Sequence, residues 1–419
     1  MSDTFPRPRA MHAAPFSSRA YAGFSRAQAR FISLVVPDKR GLSIVDPMCG
    51  QALLAATWAH EGAKVLVSDI NPGPLALAAL RSPSMIEQRQ GLGAQLRDVI
   101  KRLSRDAKTK QLVSEALAQG VTESTDWLPE TTKNQLRRFG LRLGLQHQGD
   151  LRVAFARNDQ LQRFAIGICA LAARRLSTFR LSDNVTWLRP GGLARPEAVA
   201  DHLMVSLGEW EQWARQVEIG RPRGSLRTRL VSVTELTVRG GANLVITSPP
   251  YANRLDYQRM WAPETAVVQA VVGCIMNGAD QFIGTNTPRQ PTSQDIAHLP
   301  RNIRVALQSI KAHSAWASAS YYYPFFATYA LDLDRACRAM AGMLRTGGKA
   351  ILFGRDTVRK DTLFPTIEIV SHAMRAGGCT VIRKEGAIIR SHIGNMRVST
   401  DVGLFGKAQR EWWLVLEKQ

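Results

Sequence analysis

The sequence predicts an α/β fold: a doubly wound, mostly parallel Rossmann-like sheet with a largely helical insertion. Three observations predict it. Short apolar runs of strand type recur at Ser43–Val45, Ala63–Asp69, Leu244–Thr247 and Lys349–Phe353. Helical patterns stand between several of them, which is the rhythm of parallel strands with covering helices. From about residue 81 to 225 that rhythm is lost, and long amphipathic helical patterns take over.

The elements follow in order. Ser43-Ile44-Val45 is a strand running into the turn Asp46-Pro47-Met48-Cys49-Gly50. A helix is expected from Leu53 to His60, then a second strand from Ala63 that ends in an acid, Asp69. Asn71-Pro72 opens the next helix, Pro74 to Leu80. In the middle stretch the clearest helices are Ile100 to Ala118 and Leu161 to Leu176. Leu230–Val233 and Leu244–Thr247 read as returning strands. A helix over Leu331–Leu344 is expected to stop at Gly347-Gly348, and Lys349–Phe353 is the strand after it. The helix Thr366–Ala376 meets Gly377-Gly378, which supplies a left-handed stop. Val381–Ile389 and Glu411–Leu416 are read as a final antiparallel pair. The expected organisation is therefore a split catalytic domain, 1–80 and 226–419, around an inserted region, 81–225.

Bulk composition narrows the partners. The chain has 419 residues, with Lys+Arg 55 against Asp+Glu 34, a net charge of +21. Such a surplus favours a polyanion, because neutralised phosphates release counterions. The five cysteines form no Cys-x-x-Cys pair, so no zinc knuckle is visible and no metal is expected. Their scatter suits a reducing cytosol, and a cytoplasmic location is expected. No apolar run reaches the roughly 18 residues that span a bilayer, and no membrane partner is expected. Met1–Arg19 lacks the apolar core of a secretory signal and reads as a short disordered arm.

Two turns carry chemistry. The first is Asp46–Gly50 at the end of the first strand, where open parallel sheets bind ligands. Asp69, ending the second strand, is placed to accept hydrogen bonds from a ribose diol. No G-x-G-x-x-G is present, so a dinucleotide is disfavoured and a nucleoside cofactor without phosphates, S-adenosyl-L-methionine, fits better. The second is Leu244-Val-Ile-Thr-Ser-Pro-Pro-Tyr251. Its prolines end the strand and stiffen the backbone. Ser248 and nearby carbonyls can accept hydrogen bonds, and Tyr251 offers a flat ring. An exocyclic amine on a planar base suits that set. The alternative is a proline-rich turn that only closes a buried strand.

Together these residues resemble the amino-methyltransferases of DNA. The family's first motif, Asp-Pro-Phe-x-Gly-Ser-Gly, stands here as Asp46-Pro47-Met48-Cys49-Gly50-Gln51-Ala52. Its catalytic motif, Asp/Asn/Ser-Pro-Pro-Tyr/Phe, stands as Ser248-Pro249-Pro250-Tyr251, the serine form usual among N4-cytosine enzymes. The segment from Phe16 to Phe31, the stretch Arg338–Phe353 and the ending Glu411–Leu416 also resemble the family; residues 81–225 do not. Ala52 replaces the motif's second glycine, so that turn must hold a Cβ.

The resemblance implies methyl transfer to the amine of a flipped DNA base, cytosine N4 preferred. Adenine N6, guanine N2 in transfer RNA, and a non-catalytic nucleic-acid-binding protein are the alternatives. It implies S-adenosyl-L-methionine held by Asp46, Pro47, Met48, Cys49, Gly50, Asp69, Ile70, Asn71 and Thr247. It implies catalysis by Ser248, Pro249, Pro250 and Tyr251. Nucleic-acid contacts are expected from Arg254, Arg289, Arg301 and Arg304, and from Arg174 and Arg175 in the insertion. DNA is the preferred partner over RNA, and a cognate restriction endonuclease is a further partner class. A carbon-methylating mechanism needs an activated cysteine after proline, and no cysteine here follows one. The aromatic run Tyr321–Phe326 is expected to be core.

Overall fold

The computed structural model describes residues 26–119, 122–124, 126–145, 151–157, 159–181, 188–194, 198–217, 224–252, 256–274, 282–285, 287–389 and 409–419. Arg254, most of the Phe16–Phe31 segment and the Met1–Arg19 arm lie outside them. The fold is α/β, Rossmann-like, with mostly parallel strands, in two compact units. One comprises Met1–Ser232 with Gln258–Gly278; the other comprises Val233–Tyr257 with Ala279–Gln419.

The first unit holds three parallel strands, β1 (Ser43–Asp46), β2 (Lys64–Asp69) and β3 (Ser225–Leu230), with β2 in the middle. Before them lies helix α1 (Arg26–Val35), and between β1 and β2 lies α2 (Leu53–His60), placed as its apolar spacing predicts. Helix α3 (Pro72–Ala79) follows β2; Asn71 caps it by accepting from the Gly73 amide at 3.1 Å, and Pro72 at its first position lacks an N–H to leave unpaired. β3 ends at Leu230, where a strand was expected to begin. Its alternation buries Leu226 and Leu230 and turns Arg227 outward, so arginine spacing and strand spacing coincide.

The stretch expected to be an insertion is helical, but it does not form a unit of its own. It supplies α4 (Arg89–Arg105), α5 (Ala107–Gln119), α6 (Glu130–Arg142), α7 (Gln160–Leu176) and α8 (Val199–Gln216). The single helix expected over Ile100–Ala118 is broken at Asp106. That side chain accepts from the Thr109 amide at 3.1 Å and pairs with Arg138 at 2.6 Å, capping α5 instead of continuing α4. Helix α7 opens on a capping box of Asp159 and Gln162 and buries eleven residues, from Phe164 to Leu176. Gly167 lets it lie on α3, where a Cβ would collide with Leu80 and the Ala76 carbonyl. Trp210 of α8 is fully buried, meets Phe164 edge-on at 4.6 Å and donates to the Leu80 carbonyl at 3.2 Å. The insertion is thus welded to the strands' own helices by core packing. Helix α9 (Ala262–Val272), although distant in sequence, belongs to the same unit.

The second unit holds β4 (Ala242–Thr247), β5 (Leu344–Arg355), a hairpin of β6 (Thr357–Arg359) and β7 (Thr362–Phe364), β8 (Cys379–Ile389) and β9 (Gln409–Lys418). β4 and β5 are parallel; β9 lies antiparallel between β5 and β8. The expected final antiparallel pair is therefore present, and each strand is longer than read. Helix α10 (Arg301–Ala312) and helix α11 (Tyr323–Met343) precede β5, and α12 (Thr366–Ala376) precedes β8. α11 starts eight residues earlier than its apolar spacing suggested, because Tyr323, Phe325 and Phe326 form its buried first turns. It ends before the glycine pair. Gly347 and Gly348 instead form a bulge in β5, where the register against β4 jumps from Leu344 to Lys349. Gly378, at φ +79°, supplies the left-handed stop after α12.

Candidate active site

In the first unit the candidate cofactor residues gather at the carboxyl ends of β1 and β2. The Cys49 amide donates to the Ser68 carbonyl at 3.0 Å, and Ser68 Oγ donates to the Pro47 carbonyl at 3.2 Å. Asp69 closes the arrangement by accepting from the Gly50 and Asn71 amides, each at 2.8 Å. Ile70 adds a third amide. Asp46 and Pro47 are buried, while Met48, Cys49, Gly50, Asp69 and Ile70 keep part of their surface open. The fold brings these residues to one place.

Backbone conformation explains the motif. Gly50 has φ +50°, and a Cβ there would meet nothing within 4 Å, so open space lies over it. Ala52 also has a left-handed φ of 51°, at a cost of about 1–2 kcal/mol for a residue with a Cβ. The Cβ is accommodated in the core, since Ala52 is 1% exposed. Burial pushes the Asp69 carboxyl up to about 6, against the pull of its three amides. Burial, then Asp69 and Asp46, push the Cys49 thiol well above its ordinary value. Cys49 is consequently a neutral thiol and a poor nucleophile.

The fit to a ribose-bearing cofactor is good. Each Asp69 oxygen accepts one of the two 2.8 Å amide bonds and keeps lone-pair capacity for a hydroxyl donor. Asn71 Nδ2 is buried and has no hydrogen-bond partner, an orphaned donor beside the same turn.

In the second unit β4 delivers the Ser-Pro-Pro-Tyr turn. Thr247 is fully buried and its Oγ1 has no hydrogen-bond partner. Ser248 Oγ donates to Tyr251 Oη at 3.2 Å, and Tyr251 Oη donates to Glu411 Oε1 at 3.4 Å. Both bonds are long for hydroxyl donors. Trp413 Nε1 steadies the other carboxylate oxygen of Glu411 at 3.2 Å. The Tyr251 amide donates to Tyr257 Oη at 3.3 Å, and Tyr329 Oη donates to the Pro250 carbonyl at 2.8 Å. Arg355 lies over one face of the Tyr251 ring at 5.4 Å. Burial raises the Tyr251 phenol above its ordinary value, the Ser248 bond pulling the other way. Tyr251 is therefore a neutral hydroxyl able to accept and donate at once.

Glu411, Arg355, Tyr257 and Tyr329 were not singled out for roles by the sequence. Glu411 had one legible signal: an acid at the head of an apolar terminal strand. Tyr329 had none, since it sits inside an ordinary helical pattern.

The candidate phosphate-binding arginines separate. Arg174 Nε pairs with Glu264 Oε1 at 2.8 Å, and Glu264 is fully buried. That guanidinium, expected to contact nucleic acid, is mostly buried and is held by Glu264 and the Met260 carbonyl. Arg175 bonds Ser206 Oγ at 2.9 Å and pairs with Glu209. Arg289 pairs with Asp332 but stays half-exposed. Arg301 and Arg304 are exposed on the first turn of α10, and Arg304 Nε donates to the Leu299 carbonyl at 3.2 Å. Among the described residues no metal-binding cluster occurs, and no helix is long and apolar enough to cross a membrane.

No family model matches the chain, and no curated protein matches it. Solved structures similar to it include a protein from Thermoplasma acidophilum assigned to the methyltransferases, at 9% identity and a TM-score of 0.20. That match covers 52% of this chain and 54% of the other, so this chain spans about half of that protein's length. Another is the rRNA methyltransferase aviRa from Streptomyces viridochromogenes, at 13% identity and a TM-score of 0.27, covering 97% of this chain and 89% of that one. Likenesses of this size bear on neither substrate nor mechanism.

Proposed function

We propose that the chain is an S-adenosyl-L-methionine-dependent methyltransferase acting on the exocyclic amine of a nucleobase in DNA, with cytosine N4 as the preferred target. One observation carries the reading: the direction of donation from Ser248 through Tyr251 to Glu411. With its hydrogen given to Tyr251, Ser248 Oγ turns its lone pairs outward as acceptors. An aromatic amine is a poor nucleophile because its lone pair is delocalised into the ring. Acceptors at Ser248 Oγ and the Pro249 carbonyl hold its two N–H groups and favour the tetrahedral nitrogen.

The first unit would hold the cofactor, with Asp69 accepting from its ribose hydroxyls and the Asp46–Gly50 turn lining the same site. When bound, S-adenosyl-L-methionine supplies an electrophilic methyl on its sulfonium. The proton shed by the amine passes to Ser248 Oγ as Ser248 gives its own to Tyr251 Oη and Tyr251 gives its own to Glu411 Oε1. No covalent enzyme intermediate is needed, in keeping with the neutral Cys49 thiol. Glu411→Gln keeps the shape and removes the charge at the end of this chain. Its kcat is expected to fall about tenfold, the effect of losing about 1.4 kcal/mol. Steady-state methyl-transfer kinetics check this, and a rate equal to wild type removes Glu411 from the mechanism. The wider proposal is tested by labelled-methyl transfer to nucleic acid.

A pH dependence follows from Asp69. Hydroxyl donors prefer its carboxylate form, and its carboxyl titrates at about 6. Affinity for S-adenosyl-L-methionine is expected to strengthen as pH rises from about 5 to about 7, with proton release on binding at the lower end. Calorimetric titration across that range measures it, and Asp69→Asn flattens the profile. The stability effect has a fixed sign. The folded carboxyl holds its proton to higher pH than the ordinary 3.8, so its contribution falls as pH rises from about 4 to about 6, then levels.

A further inference from the structure

The second unit carries a surface that the catalytic turn does not use. Trp316 is 91% exposed, an extreme value for the side chain with the largest apolar body. Cations surround its neighbours. Arg359 lies over the Tyr322 ring at 4.7 Å and donates to its hydroxyl at 2.8 Å. Lys360 lies over the same ring at 4.8 Å and reaches the Trp316 carbonyl at 3.4 Å. Lys311, on the last turn of α10, lies over Tyr323 at 4.9 Å. Residues 301–317 and 357–364 together hold five Arg and Lys and one acid, Asp361.

Left-handed backbone recurs here. Among the described residues four non-glycine positions have left-handed φ: Ala52 in the cofactor turn, and Ala317, Lys360 and Asp361 here. Lys360 and Asp361 form the two-residue loop of the β6–β7 hairpin, a turn that takes left-handed φ at both positions, and Ala317 stands directly after Trp316. A π-helical turn, Ser318–Tyr322, follows Trp316 directly, and such turns are frequent at functional sites. The result is an indole held out into solvent.

The same frame reaches the catalytic turn. Phe364 of the hairpin packs on Phe326 at 4.8 Å and on Tyr329 at 6.3 Å, and Tyr329 holds the Pro250 carbonyl. β6 begins two residues after Arg355, which covers Tyr251.

We propose that Trp316, with Lys311, Arg359 and Lys360, forms a binding surface for an unpaired stretch of a nucleic-acid strand, one base stacking on the indole and the cations meeting its phosphates. An exposed aromatic among cations is the combination that single strands recognise, since every base has a π-face and every link a charge. The inference deepens the proposed function and rests on its nucleic-acid substrate.

Fluorescence anisotropy with the full chain and a fluorescein-labelled single-stranded oligonucleotide tests it, beside the matching duplex. Trp316→Ala should weaken single-strand binding about 5- to 150-fold, and Trp316→Phe should retain most of the affinity. Lys360→Gln should lower the slope of log affinity against log salt by about one. Circular dichroism and thermal melting report whether each variant folds. Unchanged single-strand affinity in a folded Trp316→Ala overturns the proposal. So does an effect confined to anionic phosphatidylserine vesicles, which marks a lipid surface. Methyl transfer is measured on the same preparations. Intact transfer with unchanged Trp316→Ala binding sinks this surface alone; absent transfer with the expected binding losses sinks the enzymatic reading alone.

Discussion

Ser248→Ala is expected to lower kcat by about 100- to 1,000-fold while leaving the affinity for S-adenosyl-L-methionine within about twofold. The size follows from losing one preorganised partner of the reacting group in a partly desolvated site. Ser248 is half-buried, and its single hydroxyl is tied to Tyr251 at 3.2 Å. Alanine removes the acceptor proposed for the amine and cuts the hydroxyl chain that ends at Glu411. The fold tolerates the change, because Ser248 packs at a turn end stiffened by two prolines. Ser248→Asn, which restores an acceptor oxygen, should recover part of the rate. Single-turnover kinetics with calorimetric cofactor titration separate the two effects. A loss of cofactor affinity with kcat preserved would place Ser248 in cofactor binding instead.

The largest stability effect is expected at Arg174. Arg174→Ala should cost about 3–5 kcal/mol, because it takes the arginine pair away from a buried carboxylate. Glu264 is fully buried, and Arg174 Nε meets it at 2.8 Å while Nη2 holds the Met260 carbonyl at 3.2 Å. The site is tightly closed: a Cβ on Gly73 of α3 would already collide with the Glu264 side chain. Arg174→Ala with Glu264→Gln should recover much of the loss, since the stranded charge is gone. Urea unfolding followed by circular dichroism measures both. A stability change under about 1 kcal/mol, joined to weaker DNA binding, would return Arg174 to the nucleic-acid surface.

These two residues mark where sequence was legible and where it was not. The Asp46–Gly50 turn and Asp69 were readable because strand-end chemistry is local: an apolar run, a turn and an acid at fixed spacing. Their meeting, with the Gly50 amide on Asp69, follows from parallel pairing of β1 and β2. Ser248–Tyr251 was readable for the same reason. The pairing of Glu411 with Tyr251 was not, because they lie 160 residues apart and meet through the antiparallel placement of β9 beside β5. Arginine roles were the least legible. Arg174 and Arg175 are adjacent and look alike in sequence, yet one faces a buried acid and the other a half-exposed Glu209. Helix breaks depended on side-chain competition, as at Asp106, which periodicity does not register. Strand ends were blurred where arginine alternated with apolar residues, as in β3.

The central claim is that this chain methylates a base amine. The most direct measurement is incubation with methyl-tritiated S-adenosyl-L-methionine and duplex DNA, with transfer and ribosomal RNA in parallel, followed by digestion to nucleosides and chromatography. Label is expected in N4-methylcytosine from DNA and is lost in Ser248→Ala. Label in N6-methyladenine or N2-methylguanine would keep the amine chemistry and overturn the choice of base. Label on a ring carbon, or none in any nucleoside from a protein that binds the cofactor, would contradict the claim.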